Sequence, residues 1–179
     1  DSLDETSFPK AQLDIARAQI HRSLARFHFE TEKLSEAAVH YEIARRFYES
    51  SCEGMLTARG DVLLEIAILD GTLLSLYAEL GNDDAVAKRS QQLDEVCDQL
   101  SSVAGGTGYR VKARIHAVQA CVNVAFSSFP SRREAASGLL RLAEEQMVKA
   151  VTIPMAADVD GEQVALTKRY LSAAKLRED

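Results

Sequence analysis

The most apolar stretch of the chain, residues 61–80, predicts a long helix that is buried on more than one side. Thirteen of its twenty residues are apolar, which is too many for a helix that packs on one side only. At about 100° per residue, its polar stripe is narrow and consists of Asp61, Glu65, Thr72, Ser75 and Glu79. Glu65, Asp70 and Glu79 would be costly in hydrocarbon, so we expect a buried helix at the centre of a layered helical protein rather than a membrane span.

Helical periodicity continues on both sides of this stretch and predicts seven helices. In the first helix, at about residues 9–30, apolar side chains recur three and four positions apart, which is typical of an amphipathic helix. They are Leu13, Ala16, Ile20, Leu24 and Phe27. The other helices are expected at about 35–51, 56–80, 83–103, 109–127, 131–151 and 162–177. Gly81 and Asn82 are expected to end the third helix and begin the fourth, and Ser131 with Glu134 to form a capping box for the sixth.

Consecutive helices pair into three hairpins, and each hairpin has an apolar face that it cannot bury alone. Such hairpins stack side by side, as in solenoids. We therefore predict an all-α fold of antiparallel helical hairpins, stacked as a short α-solenoid of about seven helices. The predicted segments are a polar lead-in (1–8), hairpin 1 (9–55), hairpin 2 (56–104), hairpin 3 (105–151), and a loop with a terminal helix (152–179). Together, residues 1–179 are expected to form one helical-repeat domain, which could be a piece of a larger protein.

Leucine, small and aromatic residues lie at characteristic intervals in each of the first two hairpins, with a slip of one residue at Ala85 in the second. They are Leu24, Ala25, Leu34, Ala37, Tyr41 and Ala44 in the first, and Leu73, Tyr77 and Gly81 in the second. This spacing resembles that of the tetratricopeptide-repeat family, over residues 10–150. The third hairpin matches poorly and the repeats are longer than in that family, so we expect an irregular array. The resemblance implies that the first helix of each hairpin faces a groove that binds a peptide or a helix of a partner protein.

Composition agrees with a helical globular domain. Of the 179 residues, 46% are hydrophobic and only three are proline, so the chain can bury a core and favours helix. Cys52, Cys97 and Cys121 are odd in number and far apart, which argues against a disulfide framework or a zinc site and favours a reducing, cytoplasmic location. The sequence has no motif for a metal, a cofactor or a catalytic nucleophile, so we expect no cofactor and no enzymatic activity.

Charge is unevenly distributed along the chain. Residues 1–103 carry 10 Lys or Arg against 19 Asp or Glu, a net charge of −9, and residues 104–179 carry 11 against 8, a net charge of +3. The second half could present a basic surface to an acidic partner, or these charges could be ordinary solvated helix faces. The acidic first half disfavours nucleic acid as a ligand.

Two polar stripes are candidates for a partner-binding surface. They are Gln19, Arg22 and Arg26 on the first helix, and Lys112, His116, Gln119 and Asn123 on the fifth. Each spacing places its side chains on one helix face, where they suit hydrogen bonds and charge pairing with a carboxylate-bearing peptide or helix. Either stripe could also be a solvated face. If both line one groove, a partner crosses the third helix, whose exposed edge is expected to offer Thr72, Ser75 and Glu79.

Two further features allow more than one interpretation. The turn Gly105–Gly108, followed by Arg110, Lys112 and Arg114, could hold a phosphate at a helix N-terminus, but it lacks the lysine of a P-loop and a simple helix connection is favoured. Asp70 lies off the polar stripe, so we expect a structural pairing with an arginine from the first or fifth helix rather than a catalytic role.

These observations favour a non-enzymatic scaffold or adaptor segment, which binds a protein or peptide partner of acidic character within a larger assembly. The alternative is a regulatory helical domain that binds a small or phosphorylated ligand near the Gly105–Gly108 turn.

Overall fold

Seven α-helices make up the fold. The computed structural model describes residues 7–52, 58–128, 132–153 and 161–176. The helices are α1 (Ser7–Glu30), α2 (Leu34–Cys52), α3 (Arg59–Glu79), α4 (Asp83–Leu100), α5 (Gly106–Ser128), α6 (Arg133–Thr152) and α7 (Gly161–Lys175). These ranges contain no strand. The predicted all-α fold of stacked helical hairpins with a seventh helix is therefore confirmed.

Tight turns fold each hairpin of the first half back on itself. Between α1 and α2, Glu32 has a positive φ of 59°, and after α3 Gly81 has a φ of 69°. The amide of Asn82 donates to the carbonyl oxygen of Tyr77 at 2.9 Å, which closes a left-handed helix end of the Schellman type. Asn82 then caps α4, because its side-chain oxygen accepts from the amide of Ala85 at 3.1 Å. The turn that Gly81 and Asn82 predict is confirmed.

The predicted capping box at the start of α6 stays a prediction. The box depends on Ser131, which lies outside the described residues. Helix α6 begins at Arg133, and Arg132, which precedes it, makes no capping hydrogen bond through its side chain.

Helix α3 is the central element, as its apolar composition predicts. It packs against α2, α4, α5 and α6. Its largest fully buried side chains are Leu69, Leu73, Leu74 and Leu76. Helix α5 is a second centre, since it packs against α3, α4, α6 and α7. The two helices together carry most of the contacts between hairpins.

Helices α3 and α5 approach each other closely at Gly71. A Cβ atom added there would lie 2.9 Å from the backbone Cα of Ala117. Only a residue without a side chain permits this approach, because the neighbouring atom belongs to a helix backbone and cannot turn aside.

The buried face of α1 is not the one that its large apolar residues predict. Leu13, Ile20, Leu24 and Phe27 are between 40% and 60% exposed. The side chains that pack toward α2 are instead small or polar: Ala11, Asp14, Ala18 and Ala25. Alanines allow two helix axes to approach closely, and α2 is the one described helix that packs against α1; α1 reaches α3 only through side chains such as Arg22.

Asp70 occupies the centre of a buried charge cluster between α2, α3 and α4. Its carboxylate accepts from Nε and Nη2 of Arg45 at 2.6 and 3.2 Å, and from Nη1 of Arg89 at 2.9 Å. All three side chains are buried. Burial raises the pKa of Asp70, while the hydrogen bonds and charges of the two arginines act in the opposite direction. The predicted arginine pairing is confirmed, but the arginines come from α2 and α4 instead of α1 or α5.

The cluster extends to the protein surface through two further carboxylates. Arg89 also contacts Glu42 of α2, which accepts from the hydroxyl of Tyr77 at 2.8 Å. Arg45 donates to Glu49 at 2.5 Å. Each buried guanidinium therefore has a second carboxylate at its outer side, which compensates the positive charge that Asp70 alone would leave.

We expect Asp70→Ala to lower the free energy of unfolding by about 3–5 kcal/mol, because it leaves two buried guanidinium groups without their shared counter-charge. Urea denaturation measures the loss. Asp70→Asn, which keeps the shape and removes the charge, is expected to behave similarly. The exposed Asp98→Ala serves as control and should change the value by no more than about 0.5 kcal/mol. Unchanged stability of Asp70→Ala would contradict the role of the cluster.

We expect Gly71→Ala to destabilise the protein by about 1–3 kcal/mol, because the added methyl group separates α3 from α5. Alanine has the higher helix propensity, so steric conflict must outweigh that gain. The matched control is Gly138→Ala in α6, where the nearest atom to the new Cβ is Nη2 of Arg141 at 4.0 Å. That variant should be more stable by up to about 1 kcal/mol. A stabilising Gly71→Ala would show that the helices can separate freely.

Candidate binding surface on α1, α3 and α5

One side of α3 makes polar contacts with both α1 and α5. Nη1 of Arg22 on α1 donates to Oε2 of Glu65 on α3 at 2.5 Å, and both side chains are partly exposed. One turn earlier on α3, Asp61 accepts from the hydroxyl of Tyr109 on α5 at 2.7 Å. The first helices of the three hairpins therefore present polar side chains on the same side of the protein.

His116 of α5 joins this contact region. Burial is the main cause that lowers its pKa; Glu65 acts in the opposite direction, and Arg22 and Lys112 add to the lowering. The ring is therefore neutral at neutral pH, with one nitrogen that donates and one that accepts. Of the predicted stripes, Arg22 contacts Glu65, a residue that neither stripe contains, and the charges of both act on His116.

The remaining predicted residues of this region are more exposed. Gln19 and Arg26 lie on the surface of α1, and Arg26 donates to Glu30 on the same helix at 2.9 Å. Lys112 is exposed on α5, and no carboxylate of the described ranges pairs with it. Lys112 is therefore the cation of this surface whose charge is uncompensated.

Asn123 borders a cleft of about 200 Å³ between α1, α2, α3 and α5. Its lining consists of Phe29, Tyr41, Thr72, Ser75, Ala120, Asn123 and Val124. The hydroxyl of Thr72 donates to the carbonyl of Ile68 at 2.9 Å, and that of Ser75 to the carbonyl of Thr72 at 2.8 Å. Because both hydroxyls already donate within their own helix, the cleft offers mainly an apolar surface.

Gln119 is separated from the other predicted residues of α5. Its Nε2 donates to the hydroxyl of Thr167 on α7 at 3.3 Å, and Thr167 itself is buried. The side chain therefore belongs to the packing of α7 on α5, at the border of the surface formed with α1 and α3.

The expected exposed edge of α3 is wrong for two of its three residues. Ser75 and Glu79 are buried, and Glu79 accepts from the hydroxyl of Ser128 at 2.6 Å and from Arg132 at 3.0 Å. The chain around the end of α5 covers this part of α3. Thr72 remains half-buried, and the accessible carboxylates of α3 are Asp61 and Glu65 instead.

The basic residues that follow the Gly105–Gly108 turn do not converge on one point. Arg114 contacts Asp94 at 2.5 Å and Gln146 at 2.6 Å, whereas Lys112 lies exposed on the surface near His116. The glycine at position 106 has a packing reason, because a Cβ there would lie 2.0 Å from the carbonyl oxygen of Leu100. The turn is thus a close helix connection.

Two wider clefts lie near the α3–α4 turn. One, of about 800 Å³, faces α6 and the other, of about 540 Å³, faces α2. The first is lined by Arg132 and Arg141 but also by Asp83 and Glu145, so neither sign of charge prevails. In the described part of the chain, no three His, Cys, Asp or Glu side chains are placed to hold a metal ion. None of the described helices has the length and apolarity that a bilayer crossing requires.

Comparison with family models, with curated proteins and with solved structures finds no match to this chain. The tetratricopeptide resemblance therefore rests on the sequence spacing and stays a prediction. Function has to be argued from the surface itself.

Sequence analysis missed several residues of this surface. Glu65 had been assigned to the polar stripe of α3 without a partner, and its contact with Arg22 joins residues 43 positions apart. Phe29 carries no sequence signal beyond helical periodicity, and Tyr41 carries only that of the repeat spacing. Contacts between such distant positions depend on how the hairpins stack, which no local pattern reports.

A stack of rings joins α1 to α2 on another side of the first hairpin. His40 lies between His21 and His28, with ring centroids 5.3 and 5.2 Å away, and His21 also stacks on Phe47 at 5.8 Å. Nδ1 of His21 lies 3.0 Å from Nδ1 of His40, so one ring donates and the other accepts.

We expect the protein to lose stability as the pH falls through the ordinary histidine pKa of 6.5. Burial, then the charges of His21 and His28, lower the pKa of His40. Between that lowered value and 6.5 the unfolded chain binds more protons than the folded one, so the free energy of unfolding decreases toward acid. Urea denaturation over this range measures the slope.

The variant His40→Phe keeps a stacked ring but removes the titrating group. Its free energy of unfolding is therefore expected to change less with pH than that of the parent chain. A residual slope of the same sign remains, because the pKa of His116 is also lowered. An unchanged slope in His40→Phe would refute the assignment to the ring stack.

Proposed function

We propose that the chain is a protein-binding scaffold or adaptor segment, which receives an acidic peptide or helix of a partner across α1, α3 and α5. The observation that carries this proposal is the contact of Arg22 with Glu65 beside His116. It joins the polar faces of three helices that are not consecutive in the chain. A surface shared by three helices offers a partner a larger contact area than any single helix face does.

The charges of this surface favour a partner that carries carboxylates. Arg22 and Arg26 are already paired with Glu65 and Glu30, whereas no carboxylate among the residues that the structure describes pairs with Lys112. An incoming carboxylate gains a charge-assisted bond at Lys112, and it can share the guanidinium of Arg22. Asn123 adds an amide that donates and accepts hydrogen bonds at the cleft.

A protein ligand fits this surface better than a nucleic acid does. Asp61 and Glu65 lie between the cations, and their charges oppose a continuous phosphate backbone. The tetratricopeptide resemblance supports the same choice, since grooves of that family receive peptides. Cys52, Cys97 and Cys121 are free, which supports a reducing, cytoplasmic location.

The alternative, a phosphorylated ligand at the Gly105–Gly108 turn, has less support. Arg114 is occupied by Asp94 and Gln146, whereas Lys112 lies exposed on the surface. A phosphate site requires donors that converge on one point.

A peptide selection tests the proposal. Random peptides displayed on phage are selected on the immobilised 179-residue chain, and the enriched peptides are synthesised and titrated by isothermal titration calorimetry. We expect the enriched sequences to contain Asp or Glu. We further expect the double variant Arg22→Ala with Lys112→Ala to weaken their binding by about 2 kcal/mol or more.

The matched control is the double variant Arg46→Ala with Lys88→Ala, which removes the same two residue types at exposed positions of α2 and α4. It should bind like the parent chain. The groove variant is expected to lose less than about 1 kcal/mol of folding stability, because the Arg22–Glu65 pair is partly exposed. Selected peptides that bind both double variants equally well would place the binding surface elsewhere.

A further inference from the structure

The surface repeats at one interval on all three of its helices. Arg22 of α1 contacts Glu65 of α3, and the charges of both act on His116 of α5. The residues seven positions further on also lie together, in the cleft: Phe29, Thr72 and Asn123. Since seven residues of α-helix rise about 10.5 Å, the three helices run in the same direction and carry two levels about 10.5 Å apart.

The first level, called the charged level below, is suited to a carboxylate. It contains the Arg22–Glu65 pair and the neutral, half-buried ring of His116. Lys112 is exposed one helical turn before His116 and lacks a carboxylate within the described residues. A carboxylate placed here binds the free ammonium group and accepts from the neighbouring donors.

The second level, called the cleft level below, is suited to one aliphatic side chain. Its volume is about 200 Å³, which is below the size of a typical small-molecule site. Phe29, Ala120 and Val124 contribute carbon surface, and the hydroxyl of Thr72 is bonded to its own backbone. An apolar side chain loses no hydrogen bond on entering and gains the burial of its own surface.

The distance between the levels selects the conformation of the partner. In a helix, residues i and i+7 are about 10.5 Å apart and face almost the same direction. In a β-strand, residues on one face are about 6.6 or 13 Å apart, so one of the two levels is missed. We propose that this surface binds an amphipathic helix aligned with α3, which places an aliphatic side chain at the cleft level and a carboxylate seven residues away at the charged level. This inference rests on the proposed function and specifies its partner.

Short helical peptides test the seven-residue spacing. In an alanine–glutamine host, one Leu and one Glu are placed seven positions apart, in both orders, since the helix can run in either direction. Control peptides carry the same residues five positions apart, which turns them about 140° away from each other. Fluorescence anisotropy measures binding to the 179-residue chain. One of the seven-spaced peptides is expected to bind at least about tenfold more tightly than both five-spaced peptides.

Two variants test which level each side chain occupies. The parent chain is expected to bind the Glu peptide more tightly than an analogue with Gln in place of that Glu. Lys112→Ala is expected to abolish this difference in affinity and to leave the affinity for the Gln analogue unchanged. Ala120→Leu fills the cleft and is expected to abolish the preference for Leu over Ala in the peptide. Ala173→Leu, at an exposed position of α7, is the matched control and should retain both preferences.

The possible failures are distinguishable. Equal binding of the seven-spaced and five-spaced peptides overturns this inference. A further control is a proline-rich peptide that carries Leu and Glu three positions apart, which is about 9.3 Å in a polyproline helix. Tighter binding of that peptide overturns the inference as well. In either case the proposed function survives if the peptides still require Arg22 and Lys112. Binding that is indifferent to both of these residues overturns the proposed function as well.

Discussion

The pairing of Asp70 with Arg45 and Arg89 is the interaction on which the arrangement of the helices depends. A carboxylate in the middle of a buried helix is tolerated only if opposite charges reach it from neighbouring elements. The two guanidinium groups come from α2 and α4, so the cluster sets α3 between them and fixes their relative heights. Apolar packing alone permits many sliding positions, whereas three directional hydrogen bonds to one carboxylate permit few.

The two sides of α3 therefore have different roles. Toward α2 and α4 its polar groups are buried and their charges are compensated within the protein. On the side shared with α1 and α5, Asp61 and Glu65 remain accessible, where they contact the hydroxyl of Tyr109 and the guanidinium of Arg22. The close approach at Gly71 holds α5 tightly against α3. Stability and binding thus use different faces of one helix.

Helix α1 illustrates how an amphipathic pattern can be assigned to the wrong face. Its large apolar residues form a regular stripe, yet its alanines pack against α2 and the stripe stays on the outer side. Periodicity shows that a stripe exists. Which stripe faces a neighbour depends on the distance between helix axes, and a close contact favours the smaller side chains.

The sequence by itself determined the seven helices, the central position of α3, the turn at Gly81 and Asn82, and the need of Asp70 for an arginine. These features follow from local periodicity, from backbone geometry and from the cost of burying a charge. Only the tertiary structure decided that Arg45 and Arg89 meet Asp70 from 25 and 19 residues away, that Glu65 meets Arg22, and that Gln119 faces α7. Such pairings depend on how whole hairpins stack, and stacking is a collective result of core packing that no single stretch of the chain encodes.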